Sequence, residues 1–368
     1  MYSQTDLDDA VAAGAISADN AAALRAHIEQ QRAMPAVDEE QFRLITGFND
    51  IFVSIAAAIL LFAVGFIGQW IGQRAGMTID GDGPSFLGPL AVAVTAWGLA
   101  LFFTAKRRMA LPSILLLLAF VGGVFTTAAF SLVLGIGSSS FDNNPQLGGI
   151  VAALSAAITA AGAWLHWKRF RVPITVAAGA ASVAAIAVGL LVAGLGENVE
   201  AAKNVILGFV LALGIGTFLF AMWWDSSDRA RLTRRSDVAF WLHLLAAPMI
   251  VHPVFTLLGL NDGNATIGEG VVVLALYLAI GLTALAIDRR ALLVSALAYV
   301  LYALNELFRQ FGAVELNVAL TALLIGSALL MLSAFWHQAR ALVVRPLPDG
   351  LQSRLPLIDR LPVTAQAA

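Results

Sequence analysis

The chain has 368 residues, 59% of them hydrophobic, and a net charge of −2. Charged residues make up 12%, about half of the share usual in globular proteins. This composition favours a multi-pass membrane protein over a soluble one. The charge balance argues against nucleic acid as a partner, and the absence of cysteine excludes disulfides and thiolate chemistry.

Residues 1–46 are polar and acidic, and they predict a small helical hairpin in the cytosol. Thr5 can cap a first helix, Gly14 suits the left-handed position at its end, and Ser17 can start a second helix. No basic segment precedes a short apolar core here, so no cleavable signal peptide is expected.

Apolar runs then fill residues 47–338, and each is close to the roughly 20 residues that cross the hydrocarbon core. We count ten runs, with eight to eleven as the range, and expect an all-α polytopic membrane protein. The runs cover 48–72, 86–105, 111–137, 147–167, 172–195, 203–224, 238–260, 270–287, 291–311 and 314–337.

Basic residues test this count, because basic loops stay on the cytoplasmic side. Every basic cluster follows an even-numbered run, which predicts five hairpins with both termini in the cytoplasm, including the proline-containing tail 339–368. The clusters are Lys106 to Arg108, Lys168 to Arg171, Arg229 to Arg235, Arg289 with Arg290, and Arg340 with Arg345.

The clusters recur about every 60 residues, which suggests repeated units. An inverted five-plus-five arrangement, or mere even looping, would give similar spacing. Small residues recur every fourth position in the fourth run, from Gly149, and in the fifth, from Ala177. Because small residues let helices approach closely in lipid, these two helices are predicted to form the tightest pair.

The seventh run, with the segment 240–260, combines His243 and His252 with Pro248 and Pro253. The prolines each remove a helix hydrogen bond, so a kinked or locally opened helix is expected. Any working site should be built against this segment. A kink that only shapes packing is the alternative. Nine residues separate the histidines, which places them on opposite helix faces.

The ninth run carries a polar stripe at helical spacing, with Asn305 beside it: Tyr299, Tyr302, Glu306 and Arg309. An acidic group at this depth should pair or line water. One interpretation is an interfacial salt bridge between Glu306 and Arg309. The other is a proton or cation pocket in the outer half of the membrane, formed by His252, Tyr302, Asn305 and Glu306.

Motifs of known chemistry are missing from the sequence. No HxxxH or HExxH pattern, Walker motif, serine elbow or dinucleotide fingerprint occurs. We therefore expect no enzyme, no metal and no cofactor.

The hairpin from Leu7 through Gly14-Ala15-Ile16-Ser17 to Leu24, with the ending from Trp336 to Arg340, carries a family resemblance. It resembles uncharacterised bacterial multi-pass inner-membrane proteins that have a short cytosolic helical leader. The resemblance implies an inner-membrane location and transfers no site residues.

Two functional hypotheses follow. The first is a small-solute or ion transporter in which Glu306 exchanges a proton or binds a cation and His252 assists. The second is a membrane sensor or assembly protein that recruits a cytosolic partner through residues 1–33.

Overall fold

The structure is a computed structural model, and it describes residues 11–24, 48–142, 144–229, 231, 233–259, 267–290, 292–293, 297, 301 and 317–357. The chain divides into two units, residues 1–42 with 359–368 and residues 43–358. In the first unit, Gly14 has a φ of +69°, and the backbone N–H of Asn20 bonds the Ser17 hydroxyl at 3.1 Å. The predicted turn and cap are therefore present.

The second unit is helical wherever the structure describes regular elements, which confirms the all-α class. Short 3₁₀ segments cover Ser138–Phe141 and Gly196–Asn198. The helices are α1 (Phe48–Arg74), α2 (Leu87–Phe103), α3 (Ala110–Ile136), α4 (Pro145–Phe170), α5 (Ile174–Leu195), α6 (Lys203–Ser226), α7 (Arg234–Leu257), α8 (Ile267–Ile287), α9 (Asn317–Ala334), α10 (Trp336–Val344) and α11 (Asp349–Gln352).

Among the described residues, six helices are long and apolar enough to cross a membrane, namely α1 and α3 to α7. α2 and the apolar part of α8 are shorter. α9 covers most of the predicted tenth run and meets α10 at a bend of 76°, and the two together would make a seventh span. The ninth run lies almost entirely outside the described residues, so the count of ten remains a prediction.

Small residues set the contact between α4 and α5, which share the most extensive interface of the helix pairs described. A Cβ added to Gly149 would lie 2.5 Å from the Ala193 nitrogen and 2.6 Å from the Gly189 oxygen. The predicted tight pair is confirmed. The predicted stripe is not followed throughout, because Ala157 is exposed and Ala156 is buried. Every fourth residue of a helix advances 40° around its axis, so the stripe rotates out of the interface.

Helix packing does not follow the expected hairpins alone. We expected five units, each going out and coming back through a loop poor in basic residues. α1 and α2, which are joined by such a loop, pack extensively, but α4 with α5 and α6 with α7, which are joined by loops that carry arginines, pack more extensively still. The arrangement as five hairpins stays a prediction.

The basic loops meet at one end of this unit, hereafter the basic end. Phe170 and Val172, at the end of α4, pack near Trp241 at the start of α7. Arg231, before α7, bonds Asp288, after α8. The loops also share a backbone feature, since one residue in each has a φ of +54° to +57°: Arg108, Arg171, Arg231 and Asp288. Such values are uncommon without glycine, and their recurrence favours a repeated turn.

Candidate functional site

A buried carboxylate lies at the basic end. Asp225 is the second-to-last residue of α6, and its side chain is 0% exposed. The C-terminus of a helix carries partial negative charge and repels an acidic group. Burial also removes the water that would stabilise the carboxylate. Asp225 therefore requires cationic partners from other segments.

Arg289 supplies the strongest of these contacts. Its Nη2 donates to Asp225 Oδ1 at 2.6 Å and its Nε donates to Oδ2 at 3.2 Å. The planar guanidinium matches both carboxylate oxygens, which makes this a bidentate and strong arrangement. Nη2 also donates to the Ser236 backbone oxygen at 3.0 Å. Arg289 thus ties the end of α8 to both α6 and the first turn of α7.

His243 approaches the same carboxylate from α7. Its Nε2 lies 3.3 Å from Asp225 Oδ2, and the side chain is 0% exposed. The ring of Phe218 packs edge-on against the imidazole at 5.2 Å. His243 Nδ1 has no hydrogen-bond partner among the described residues. One ring nitrogen therefore faces charge and the other an apolar interior.

A second carboxylate extends the network. Arg231 lies 4.0 Å from Asp225, and its Nη1 donates to Asp288 Oδ2 at 2.9 Å. Asp288 Oδ1 accepts from Trp336 Nε1 at 2.7 Å. Arg231 Nη2 also donates to the backbone oxygens of Ile287 and Asp288. We call Asp225, Arg231, His243, Asp288 and Arg289 the Asp225 cluster.

Local sequence explains how the α6–α7 loop presents Arg231. Thr233 caps α7, and its hydroxyl donates to Asp228 Oδ2 at 2.7 Å while its backbone N–H donates to the same oxygen at 2.9 Å. A threonine at this position is a preferred helix start. The loop is therefore closed on itself, and Arg231 is fixed toward Asp288.

The cluster is an ionic site built from two carboxylates, two guanidinium groups and one imidazole. No group of three or more His, Asp or Glu side chains in the described part of the chain could hold a metal ion. The acidic and cationic groups satisfy one another across three helix ends. Such an arrangement can hold those ends together, and it can exchange protons or admit ions only if the helices separate.

A second buried histidine, His166, precedes the basic loop after α4, and aromatic rings surround it instead of charged groups. His166, 1% exposed, contacts Thr175 Oγ1 through Nδ1 at 3.2 Å. The rings of Trp97, Phe120 and Phe170 surround it at centroid distances of 5.9, 5.7 and 4.6 Å. Its other nitrogen has no partner among the described residues.

Of the four residues predicted to form the pocket, the structure describes only His252. His252 is exposed on α7, on a different face from buried His243, as the nine-residue spacing predicts. Tyr302, Asn305 and Glu306 lie outside the described residues, so the pocket itself is not assembled here. Pro248 and Pro253 lie inside α7, which runs from Arg234 to Leu257. The expected kink or local opening at these prolines stays a prediction.

Sequence reasoning missed most of the Asp225 cluster. Arg231 and Arg289 were interpreted only as markers of membrane orientation. The segment 240–260 does contribute a site residue, but through His243 and not through His252. A signal was available in Asp225, an acidic residue at the C-terminal end of an apolar run, where the helix dipole is unfavourable for it.

Comparison of the chain with protein-family models, curated proteins and solved structures finds no match.

Proposed function

We propose that the chain is a transporter of protons or small cations in the bacterial inner membrane, with its basic end in the cytoplasm and closed by the Asp225 cluster. The observation that carries this proposal is the complete burial of Asp225, His243, Arg231 and Arg289 where three helices end. Ionisable groups buried inside a membrane protein are expensive to remove from water and often mark ion or proton paths.

The energetics favour a functional role over a purely structural one. A buried ion pair often contributes no more stability than apolar side chains of the same volume, because desolvation offsets the attraction. The unit already packs its other helices with small and apolar residues. An ionic closure has the further property that its members become hydrated when the helices separate, so the open and closed states can lie close in energy.

In the proposed arrangement, about ten helices cross the membrane with both termini inside. Glu306, with His252, Tyr302 and Asn305, would form the ion pocket in the outer half, and the Asp225 cluster would close the inner end. Closure at one end with a pocket toward the other is the geometry that alternating access requires.

Flux measurements in liposomes test the proposal. Purified protein is reconstituted with an internal pH-sensitive dye, and H⁺, Na⁺ and K⁺ gradients are applied in turn. We expect flux above that of empty liposomes, loss of flux with Glu306→Gln and His252→Ala, and an increased leak with His243→Gln. Glu197→Gln and His337→Ala serve as controls, since both residues are exposed. Flux equal to that of empty liposomes under every gradient would refute the proposal.

A second candidate function rests on the turn at Gly14 and Ser17, an ordered element that membrane crossing does not require. As a sensor or assembly protein, the chain would recruit a cytosolic partner through residues 1–33. Removal of residues 1–33 would then abolish the cellular phenotype, while Glu306→Gln and His252→Ala would leave it unchanged. The transporter proposal expects the opposite pattern.

A further inference from the structure

The segment after α9 changes direction and packs onto the basic end. α10 leaves α9 at 76°, and its residues Trp336, Arg340 and Val344 are 3%, 2% and 1% exposed. Leu342, on the opposite face, is 78% exposed. α10 therefore buries one face against the unit, and the following residues 345–357, which we call the strap, start from that position.

Two arginines hold the strap by its backbone. Arg229 Nε donates to the Leu355 oxygen at 2.8 Å, and its Nη2 donates to the Gln352 oxygen at 3.1 Å. Arg340 Nη2 donates to the Pro356 oxygen at 2.7 Å, and its Nη1 donates to the Leu357 oxygen at 3.0 Å. Hydrogen bonds from a charged donor are stronger than neutral ones. Four backbone oxygens of the strap are therefore held by strong bonds, two from the loop after α6 and two from α10.

Few apolar side chains anchor the strap in the interior. Leu355 is 7% exposed and belongs to a core cluster with Leu285, Leu293, Trp336 and Val344, against which Leu347 is partly buried. Pro356 is also buried, whereas Leu351 is 52% exposed and Leu357 is 38% exposed. A short segment with few buried apolar side chains is of the kind that opens locally at low cost.

The strap is linked to the Asp225 cluster through a chain of contacts. Arg340, which bonds the strap, lies 3.8 Å from Asp288. Asp288 also accepts from Trp336 and from Arg231, and Arg231 reaches Asp225. Because each group in this chain has partners on both sides, departure of the strap removes a support from Asp288 and then from Arg231.

We propose that the strap is a latch that keeps the basic end closed, so that the Asp225 cluster becomes accessible to water only when residues 345–357 detach. A role for this latch in transport rests on the proposed function. Its test uses accessibility alone and needs no substrate, so failure of the latch and failure of transport are separate results.

The experiment exploits the absence of native cysteine. Ser236→Cys places a probe in the first turn of α7, where Ser236 is 8% exposed and its backbone oxygen contacts Arg289. Labelling by a hydrophilic maleimide is measured in reconstituted protein, together with deuterium uptake of residues 349–357. Arg229→Gln is the releasing variant, because the described contacts of the Arg229 side chain are to the strap. Arg235→Gln, at an exposed arginine in the first turn of α7, is the matched control.

We expect Arg229→Gln to raise both strap exchange and the labelling rate at position 236, the latter at least about tenfold, which corresponds to about 1.4 kcal/mol. Arg235→Gln should change neither. Faster strap exchange with unchanged labelling would overturn the latch, and so would unchanged strap exchange.

A second variant covers the case in which Arg229→Gln does not fold. A recognition sequence for a specific protease is inserted between Pro348 and Asp349, and the folded, reconstituted protein is then cut. Cutting should accelerate labelling at position 236 to the same extent. An uncut sample is the control, and equal labelling of cut and uncut protein would contradict the proposal.

Discussion

The two parts of the membrane unit are held together by different physical means. Helices α1 to α5 pack through glycine, alanine and aromatic rings, and their buried histidine, His166, contacts a threonine. Helices α6 to α8 and α10 converge on buried carboxylates and arginines, and their buried histidine, His243, contacts Asp225. Both histidines are buried, so burial alone does not determine whether an imidazole contacts a neutral or a charged partner.

This difference in contacts indicates which helices can separate at low cost. Close contact between helix backbones is short-ranged and is lost as a whole when helices part. Buried ions lose their partners when helices part, but water can replace those partners. We therefore expect the α4–α5 pair to stay rigid and the Asp225 end to be the part that can open. The predictions below test this contrast.

The largest expected effect is that of Asp225→Asn. It leaves Arg289 buried without its carboxylate, while Arg231 keeps Asp288, and breaking a buried pair by removing one partner costs about 3–5 kcal/mol. The free energy of unfolding in detergent micelles measures it. Asp142→Asn, in an exposed loop, is the control and should stay within about 0.5 kcal/mol of the wild type.

A double-mutant cycle sharpens this prediction. If Asp225 and Arg289 form one unit, the variant with both Asp225→Asn and Arg289→Gln should lose less stability than the sum of the two single variants. Strict additivity would mean that the two side chains contribute independently. The contrast between small-residue packing in one part of the unit and ionic contacts in the other would then lose its support.

A smaller effect is expected from Gly149→Ala in the α4–α5 pair. The added methyl would lie 2.5 Å from the Ala193 nitrogen, and forcing such a group into a packed interface costs about 1–3 kcal/mol. Gly148→Ala is the matched control, because its Cβ would have no atom within 4 Å. Equal stability of the two variants would show that close backbone approach does not hold this pair.

The contrast also explains how far the sequence could be interpreted. The described helices begin and end near the predicted limits, because a run of apolar residues must match the membrane thickness. The α4–α5 contact was predictable from Gly149 and its neighbours, since small residues at helical spacing are a local pattern. These features depend on residues a few positions apart.

The Asp225 cluster could not be predicted in the same way. Asp225 and Arg289 are 64 residues apart, and Asp225 and His243 are 18 apart. Arginines after apolar runs are normally explained by membrane orientation, so nothing local distinguishes Arg289 from Arg290. The bend at Phe335 is also not encoded by proline or glycine. It accompanies the bond between Trp336 and Asp288, a contact that only the folded chain brings about.

The smallest expected effect is the difference in stability between two variants that carry the same substitution, one at each buried histidine. His166→Phe places a fourth phenyl or indole ring among Trp97, Phe120 and Phe170 and loses only the Thr175 contact, at about 0.5–1.5 kcal/mol. His243→Phe removes a hydrogen bond to a buried carboxylate, which costs about 1.5–3 kcal/mol. Unfolding of both variants under identical conditions gives the difference in the free energy of unfolding, and we expect His166→Phe to be the more stable by about 1 kcal/mol.

His243→Gln, which can still donate to Asp225, should recover part of the loss, whereas His166→Gln should recover none because its surroundings are aromatic. Equal losses at the two positions would mean that the charges around Asp225 do not depend on His243, and the histidine would then belong to the apolar packing of α7.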